Sequence, residues 1–216
     1  MQLTIDPKVK EQGVSLAYSV IEFKNDAHNE KLWQDILNPL LREIELNDTL
    51  DTIKEDPQIT ATKKIYRVLG KDPARFRPSS DSLWRRVVQK KGLYQINPLV
   101  DLNNYFSLKW KLPFGAYDLK KVSEPIQLTV GAAEARYAGI GNKSVNIENL
   151  LVLSDEAGPF GSPTADSTRG MIAEETTRAL LVGYQFEDEK VVDQAEVKAV
   201  LGSYLSDCQV IEQGVI

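Results

Sequence analysis

The stretch NPLVDLNNYFSLKWKLPFGAYD, residues 97–118, lies where the pattern of the sequence changes. Its central part, residues 100–110, predicts a short helix. Before it, residues 29–46, 59–69 and 81–91 each carry apolar side chains on one helical stripe. After it, short alternating or β-branched runs are separated by Gly and Asn, which is typical of strands joined by turns. The sequence therefore predicts an α+β fold, with helices concentrated in the N-terminal half and a mixed or antiparallel sheet mainly from the C-terminal half.

Several elements have signals of their own. Residues 14–23 (VSLAYSVIEF) are rich in β-branched and aromatic side chains and predict a buried strand near the N-terminus. Pro39 lies inside the first helical stripe and predicts a kink there, or a split after Leu37. Asp193 and Glu196 match a capping box, which predicts the start of a C-terminal helix. Further strands are predicted at residues 126–130, 150–153, 179–186 and 209–211.

The composition indicates one cytoplasmic domain. The chain has 216 residues, 42% of them hydrophobic, which is enough to bury a sizeable core. No repeat, low-complexity tract or linker interrupts it, so a single domain over residues 1–216 is expected. The start lacks the features of a signal peptide, and no run approaches the roughly 18 apolar residues of a membrane helix. With Cys208 as the only cysteine, a reducing cytoplasm and no membrane contact are expected.

Two rare residue types limit the possible chemistry. One histidine, His28, and one cysteine cannot form a Cys/His zinc site. Any Ser-His-Asp or Cys-His mechanism would have to use His28, which lies in a polar stretch that reads as a helix start and is expected to be an ordinary surface residue. No dinucleotide-binding or metal-binding motif is present, so neither a cofactor nor a metal is expected.

The net charge of −5 conceals three segments of different sign. Residues 1–57 hold 6 basic and 12 acidic side chains, and residues 123–216 hold 6 basic and 15 acidic ones. Residues 58–122 hold 14 basic and 4 acidic side chains, a surplus of ten positive charges. Such a segment can attract phosphates, although solvated helix faces that pair with the acidic flanks are an alternative explanation.

Two loops are unusual enough to suggest function. Residues 66–80 place basic side chains around Phe76, which suits phosphate contacts combined with base stacking, or an ordered loop whose arginines bond carbonyls. Residues 153–169 are small, polar and rich in turn-forming residues, and Gly158 and Gly161 let backbone N–H groups approach a ligand there. A loop of this length without apolar periodicity is more often functional or mobile than decorative.

These residues resemble the tRNA-editing (B-three/B-four) domain of the bacterial phenylalanyl-tRNA synthetase β subunit, in a free-standing form. Residues 100–105 read VDLNNY and residues 112–118 read LPFGAYD, where the synthetase pattern has V-D-x-x-N-Y followed by Q-P-L-H-A-F-D. The loops at 66–80 and 158–167 look like signatures of free-standing relatives. The resemblance covers roughly residues 60–186.

The resemblance implies an α+β fold and, for synthetase members, hydrolysis of tyrosine from mischarged tRNA. A hydrophobic pocket rejects an analogue that adds a hydroxyl by only about a hundredfold, so a second site must remove the error. Gly115 stands where the pattern has its pocket histidine, so the pocket is expected to be wider there, and Tyr117 replaces a phenylalanine. The catalytic glutamate of the synthetase site has no matched counterpart, although Glu174 and Glu175 lie nearby in sequence.

Residues from separate segments are expected to surround the ligand. Because Gly115 supplies no side chain, any hydrolysis is expected to use backbone donors, a substrate hydroxyl, or a carboxylate, Asp118 or Asp166, as the candidate catalytic base. The alternative is that both carboxylates are turn or cap residues that bond local N–H groups. The other candidates for the ligand pocket are Asn104, Gly115, Asp155 and Ser167. The candidates for RNA contact, expected on one basic face, are Arg75, Arg77, Arg85, Arg86, Lys90 and Lys91.

Three functions fit this set of residues. The first is a trans-acting hydrolase of mischarged aminoacyl-tRNA. The second is a tRNA- or amino-acid-binding module that kept the fold and lost the chemistry. The third is a protein whose pocket serves an unrelated amino-acid metabolite. The expected partner of the first is aminoacylated tRNA, and the amino acid, the tRNA and the oligomeric state are left open by the sequence.

Overall fold

The computed structural model describes residues 1–141, 143–187 and 191–216. Its helices are α1 (Pro7–Lys10), α2 (Glu30–Leu32), α3 (Asn38–Asn47), α4 (Leu50–Glu55), α5 (Pro57–Val68), α6 (Ser79–Val88), α7 (Pro98–Trp110) and α8 (Gln194–Tyr204). Its strands are β1 (Leu3–Ile5), β2 (Ser15–Lys24), β3 (Phe114–Asp118), β4 (Ile126–Val130), β5 (Arg136–Gly139), β6 (Lys143–Asn146), β7 (Leu151–Asp155), β8 (Gly158–Gly161), β9 (Arg178–Gln185) and β10 (Ser206–Val215). A π-helical segment, Trp33–Leu37, joins α2 to α3, and a 3₁₀ turn, Thr168–Gly170, follows β8.

The strands form two four-stranded sheets and a hairpin. One sheet has the order β1-β4-β7-β8, in which β1 and β4 are parallel and the other pairs are antiparallel. The second sheet has the order β10-β2-β9-β3 and is antiparallel throughout. Strands β5 and β6 form the hairpin. The predicted α+β fold with a mixed or antiparallel sheet is therefore confirmed.

The helices begin where the sequence supplies caps. Asp56 accepts from the N–H of Ile59 at 3.0 Å and Pro57 opens α5, while Asn97 accepts from the N–H of Val100 at 3.0 Å and Pro98 opens α7. An N-cap oxygen satisfies a free N–H, and proline at the first helical position has no N–H to lose. These caps fix where α5 and α7 start, at residues 57 and 98.

Helix α7 is attached on two sides. Asp101 accepts from Trp33 Nε1 at 2.8 Å and from the N–H of Ile96 at 3.0 Å, and burial raises the pKa of its carboxyl. Phe106 stacks on Trp110 with ring centroids 5.2 Å apart, and Trp110 stacks on Phe114 of β3 at 5.7 Å. The helix thereby holds β3 in place at the edge of its sheet. Asp101, which belongs to the recognised motif, has a structural role here.

Most element predictions are confirmed, with differences at particular residues. Pro39 does interrupt the first helical run, because the turn before it is π-helical and α3 starts at Asn38. The capping box at α8 is only half correct. Asp193 accepts from the N–H of Ala195 and of Glu196, but the carboxylate of Glu196 pairs with Lys109 instead of closing the box. His28 is exposed, as expected for a surface residue.

Candidate functional site

The polar centre of the fold lies where β3, β9 and the segment after β8 meet. Tyr117 in β3 donates to Asp166 Oδ1 at 2.8 Å, and its Oη lies 3.1 Å from the Oη of Tyr184 in β9. The N–H of Ser162 donates to the same Oδ1 at 3.2 Å. Both tyrosines are completely buried, and burial raises the pKa of each phenol well above its ordinary value. The phenols are therefore neutral donors at physiological pH.

The carboxyl group of this centre, Asp166, has a strongly shifted pKa. Burial raises its pKa to about 7, and the hydrogen bonds from Tyr117 and from the N–H of Ser162 oppose that rise only in part. A carboxyl group that titrates near neutral pH has the proton affinity that a general base requires. Asp166 is therefore the predicted catalytic residue with the more suitable electrostatics.

The space beside Gly115 is filled by its neighbour on the same strand. A Cβ atom at Gly115 would lie 2.2 Å from Tyr117 Oη, and one at Gly161 would lie 2.3 Å from the same oxygen. The phenol thus occupies the gap between the two glycines. The prediction of a wider pocket at Gly115 is wrong, because Tyr117 uses the room that the glycine leaves. Across the sheet, Gly115 pairs with Val182, which has no ionisable group.

The segment after β8 is anchored by side chains that the sequence analysis missed. Ser162 Oγ donates to the carbonyl of Ala165 at 2.7 Å and accepts from the N–H of Ala165 at 3.1 Å. Tyr137 of β5 donates to Ser162 Oγ at 3.0 Å. The hydroxyls of Tyr66 and Thr164 share a hydrogen bond of 2.9 Å. Tyrosines from α5 and β5 therefore fix the loop that carries Asp166; their spacing in the sequence gives no signal of this.

Asp118, at the end of β3, makes the contacts expected of a structural residue. Its Oδ1 accepts from the N–H of Lys120 at 2.8 Å, and its Oδ2 accepts from the hydroxyl of Thr176 at 2.8 Å. Lys121 Nζ lies 3.7 Å from the same Oδ2. These contacts occupy both carboxylate oxygens, and they match the alternative in which Asp118 bonds local N–H groups at a turn.

Asp155 and Ser167 are brought together around one arginine. Arg169 donates to both carboxylate oxygens of Asp155 at 2.8 Å, and its N–H donates to Ser167 Oγ at 3.1 Å. Burial alone would raise the pKa of Asp155, but hydrogen bonds from Arg169 and from the N–H groups of Ser123 and Ala157 hold it below its ordinary value. A bidentate pair of this kind orders the loop. Both predicted pocket residues are therefore engaged by the protein itself.

Asn104 is half-buried on α7. Its neighbour Asn103 donates from Nδ2 to the carbonyl of Phe114 at 3.4 Å, one residue before Gly115. Helix α7 thus approaches the polar centre, and the role of Asn104 stays a prediction.

Basic residues of α5, α6 and the loop between them meet at one buried acid. Asp81 is completely buried, and its carboxylate lies 2.7 Å from Lys63 Nζ and 3.9 Å from Arg77 Nε. Arg85 Nε donates to the same carboxylate. A cavity of about 270 Å³ opens beside them and is also lined by Arg67 and Asp72. We call this the 63–85 cavity. It holds four cationic and two anionic side chains, so a positive surplus remains.

A second cavity shares Asp72 with the first. Its volume is about 560 Å³, and its basic lining residues are Lys71, Arg75 and Arg136. We call it the 70–149 cavity; its further lining residues are Gly70, Phe76, Ser144, Asn146, Glu148 and Asn149.

Lys71 is the buried residue of the 70–149 cavity. Its Nζ donates to Asn146 Oδ1 and to the carbonyl of Glu148, each at 2.6 Å, and lies 3.8 Å from the centroid of the Phe76 ring. Desolvation lowers the pKa of Lys71. That face of Phe76 is covered, so a base cannot stack on it.

The remaining predicted RNA-binding residues lie at the other end of α6. Arg86 Nε donates to the carbonyl of Gly92 at 2.7 Å, and its guanidinium lies 4.4 Å from the centroid of the Tyr94 ring. Lys90 and Lys91 are exposed. The structure therefore places Arg77 and Arg85 in the first cavity and Arg75 in the second. Arg86 lies in the last turn of α6, and Lys90 and Lys91 follow the helix.

The described ranges offer neither a metal-binding cluster nor a membrane-spanning helix. Among residues 1–141, 143–187 and 191–216, no three His, Cys, Asp or Glu side chains cluster as they would around a metal ion. No helix in these ranges is both long and apolar enough to cross a membrane.

Comparison with known proteins adds the family. A family model described as B3/4 domain matches residues 61–203, which include the polar centre and both basic cavities. The chain belongs to the B3/4 domain family. The recognition made from the sequence motifs is thereby confirmed.

Relatives of this B3/4 domain are subunits of a tRNA ligase. The chain is 25% identical over 172 residues to the phenylalanine–tRNA ligase beta subunit of Shewanella oneidensis, covering 74% of the chain and 20% of that subunit. It is 29% identical over 112 residues to the Pasteurella multocida subunit, covering 50% of the chain and 14% of the subunit. An N-terminal fragment of the phenylalanyl-tRNA synthetase beta subunit from Pyrococcus horikoshii aligns over 94% of the chain and 47% of the fragment, with 14% identity and a TM-score of 0.46. The chain thus spans about a fifth or less of the curated relatives.

Proposed function

We propose that this B3/4 domain is an RNA-binding module that contacts tRNA through its basic middle segment. The observation that carries the proposal is the pair of adjoining cavities, which share Asp72 and are lined by four and by three cationic side chains. Phosphate oxygens are the usual targets of arginine and lysine in nucleic-acid interfaces, and such contacts position the partner without reading its sequence. Six of these seven cations, all except Arg136, belong to the segment with ten surplus positive charges, residues 58–122.

The choice of tRNA rests on the family. The relatives named above are subunits of a phenylalanine–tRNA ligase, so tRNA is the RNA that this domain is proposed to meet. Charged tRNA is made and used in the cytoplasm, which is the proposed location. The lysines at 90 and 91 extend the basic surface past the end of α6.

A binding module is favoured over an enzyme by the filled gap at Gly115. The phenol of Tyr117 occupies the space there, and neither Gly115 nor its partner Val182 can move a proton. Asp118 and Asp155 are both used in contacts within the chain. Two of the candidate carboxylates and the space at Gly115 are thus used by the protein itself.

The second candidate function, hydrolysis of mischarged aminoacyl-tRNA, is favoured by Asp166 alone. Its carboxylate, with a pKa of about 7, would take a proton from a water that attacks the ester carbonyl. The ester C–O bond would then break, and the proton would pass to the departing ribose oxygen. The free amino acid and the uncharged tRNA are the products.

Binding of uncharged tRNA tests the first candidate. Arg75 and Arg67 are exposed and line different cavities, so Arg75→Gln and Arg67→Gln should each weaken binding. Lys198→Gln, an exposed residue on α8, is the matched control and should leave the affinity unchanged. Absence of tRNA binding by the unaltered protein, or an equal loss in the control, would reject the proposal.

Single-turnover deacylation of mischarged tRNA tests the second candidate. The binding module predicts no release of amino acid above the uncatalysed rate. Release that is lost in Asp166→Asn but retained in Asp118→Asn would establish the hydrolase instead. Because Asn can accept the same hydrogen bonds from Tyr117 and Ser162, the first variant removes the base while keeping the loop in place.

A further inference from the structure

In the 63–85 cavity, the cations around the buried carboxylate outnumber its single negative charge. Asp81 is completely buried and lies within 4 Å of Lys63, Arg77 and Arg85. One carboxylate can neutralise one of these charges. Because Asp81 is buried and bonded to several cations, it fixes where their charged groups lie. The cations are therefore held in position before any ligand arrives.

The surplus charge of this cavity matches a particular anion. Four cationic side chains, including Arg67, face two anionic ones, Asp72 and Asp81, so two positive charges are left over. A phosphate monoester carries about −1.5 to −2 charges at neutral pH and has three strong acceptor oxygens. A phosphodiester inside a nucleic-acid chain carries one charge, and the chain continues on both sides of it. It therefore suits an open surface better than a recess.

We propose that the 63–85 cavity binds the terminal phosphate monoester at the 5′ end of an RNA. This inference rests on the proposed RNA-binding function and names which part of the RNA enters this cavity. A tRNA carries a hydroxyl or an aminoacyl ester at its 3′ end, so its monoester is the 5′ phosphate. Arg67 and Arg77 are the residues assigned to contact the phosphate, since Lys63 and Arg85 are bound more closely to Asp81.

The neighbouring 70–149 cavity fits the first part of the RNA chain that follows this phosphate. It adjoins the first cavity at Asp72 and offers Arg75 and Arg136 beside a group of neutral amides and a hydroxyl. When the shared Asp72 is counted in this cavity as well, three cations face Asp72 and Glu148, which leaves one positive charge. A single surplus charge suits the phosphodiester of the next nucleotide.

Two short RNAs of one sequence, with and without a 5′ phosphate, test the inference by fluorescence anisotropy. Hydrogen bonds to charged groups are worth about 1.5–3 kcal/mol, so the unaltered protein should prefer the phosphorylated RNA by roughly tenfold to a hundredfold. Arg67→Gln should bring this preference close to unity. Lys91→Gln removes the same charge outside the cavity, so it should weaken both RNAs in proportion and keep the preference.

The outcomes separate the inference from the function on which it rests. Equal affinity of the unaltered protein for the two RNAs would overturn the inference while leaving RNA binding established. Loss of the preference in Lys91→Gln would also overturn it, because the effect would then be one of general charge. If neither RNA binds, the proposed function fails and the inference fails with it. Competition by 5′-AMP as strong as by the phosphorylated RNA would assign the cavity to a free mononucleotide and reject the RNA end.

Discussion

Replacing Asp166 by asparagine should change the pH dependence of stability in a defined direction. The folded protein raises the pKa of this carboxyl from 3.8 to about 7. The folded state therefore holds the proton more tightly than the unfolded state does. The contribution of Asp166 to stability is full below the unfolded value and is lost as the pH rises through about 7. Asparagine is uncharged at every pH, so Asp166→Asn does not lose stability in this way as the pH rises.

The size of the effect follows from the shift. Each pKa unit is worth about 1.4 kcal/mol, and the rise spans about three units, so the upper limit is roughly 4 kcal/mol. Urea denaturation of the unaltered protein and of Asp166→Asn should give similar free energies of unfolding near pH 4. The variant should become progressively the more stable of the two as the pH rises from about 4 to about 7, and the difference should level off above that.

Asp155→Asn is the control of opposite sign. The folded protein lowers the pKa of Asp155, so its contribution is present above the unfolded value of 3.8 and is lost as the pH falls through the folded value. This variant should be weakened at neutral pH and should approach the unaltered protein in acid. A difference between Asp166→Asn and the unaltered protein that stays constant from acid to neutral pH would refute the reasoning.

Three further predictions concern packing and caps. Gly115→Ala should cost about 1–3 kcal/mol, because its Cβ would meet the phenol beside it at 2.2 Å, whereas Gly202→Ala, with nothing within 4 Å, should be neutral or stabilising in thermal melts. Leu201→Ala should cost about 2–5 kcal/mol and Asp193→Ala nearer 1 kcal/mol in denaturant titrations; the reverse order would contradict the placement of α8. Tyr117→Phe removes a buried donor and should cost about 1–3 kcal/mol by calorimetry; an unchanged melting temperature would show that the bond to the buried carboxyl is not stabilising.

The helices could be predicted because their signals are local. The helices predicted at residues 59–69 and 100–110 form, and each starts two residues earlier, at Pro57 and Pro98, because of caps that the sequence analysis did not use. The strand at 14–23 was recognisable from its β-branched residues, and it becomes the inner strand β2. Short elements without an apolar pattern, such as β1 and β8, gave no such signal.

The polar centre could be predicted only in part, because its contacts join distant residues. The motif pointed to Gly115 and to Asp166, and they do lie close to one tyrosine, Tyr117. The sequence could not show that this phenol fills the gap at the glycine, since that depends on a rotamer and on the closeness of Gly161. Tyr184 was missed because a tyrosine within an apolar strand looks like a core residue.

The positive charge of residues 58–122 could be counted from the sequence, but its arrangement in space could not be predicted. The surplus of positive charge between residues 58 and 122 was visible by counting. The division of that charge into two cavities depends on Asp81, whose burial collects Lys63, Arg77 and Arg85. A single acid among many bases has no distinctive spacing, so only the folded chain reveals its position.

The salt dependence of tRNA affinity tests the central proposal most directly. The logarithm of the binding constant should fall steeply and linearly with the logarithm of the salt concentration, because phosphate contacts release counterions. Arg75→Gln and Arg67→Gln should each reduce the magnitude of that slope by about one, and Lys198→Gln should leave it unchanged. An affinity that does not vary with salt, or slopes that are the same in all four proteins, would contradict the account.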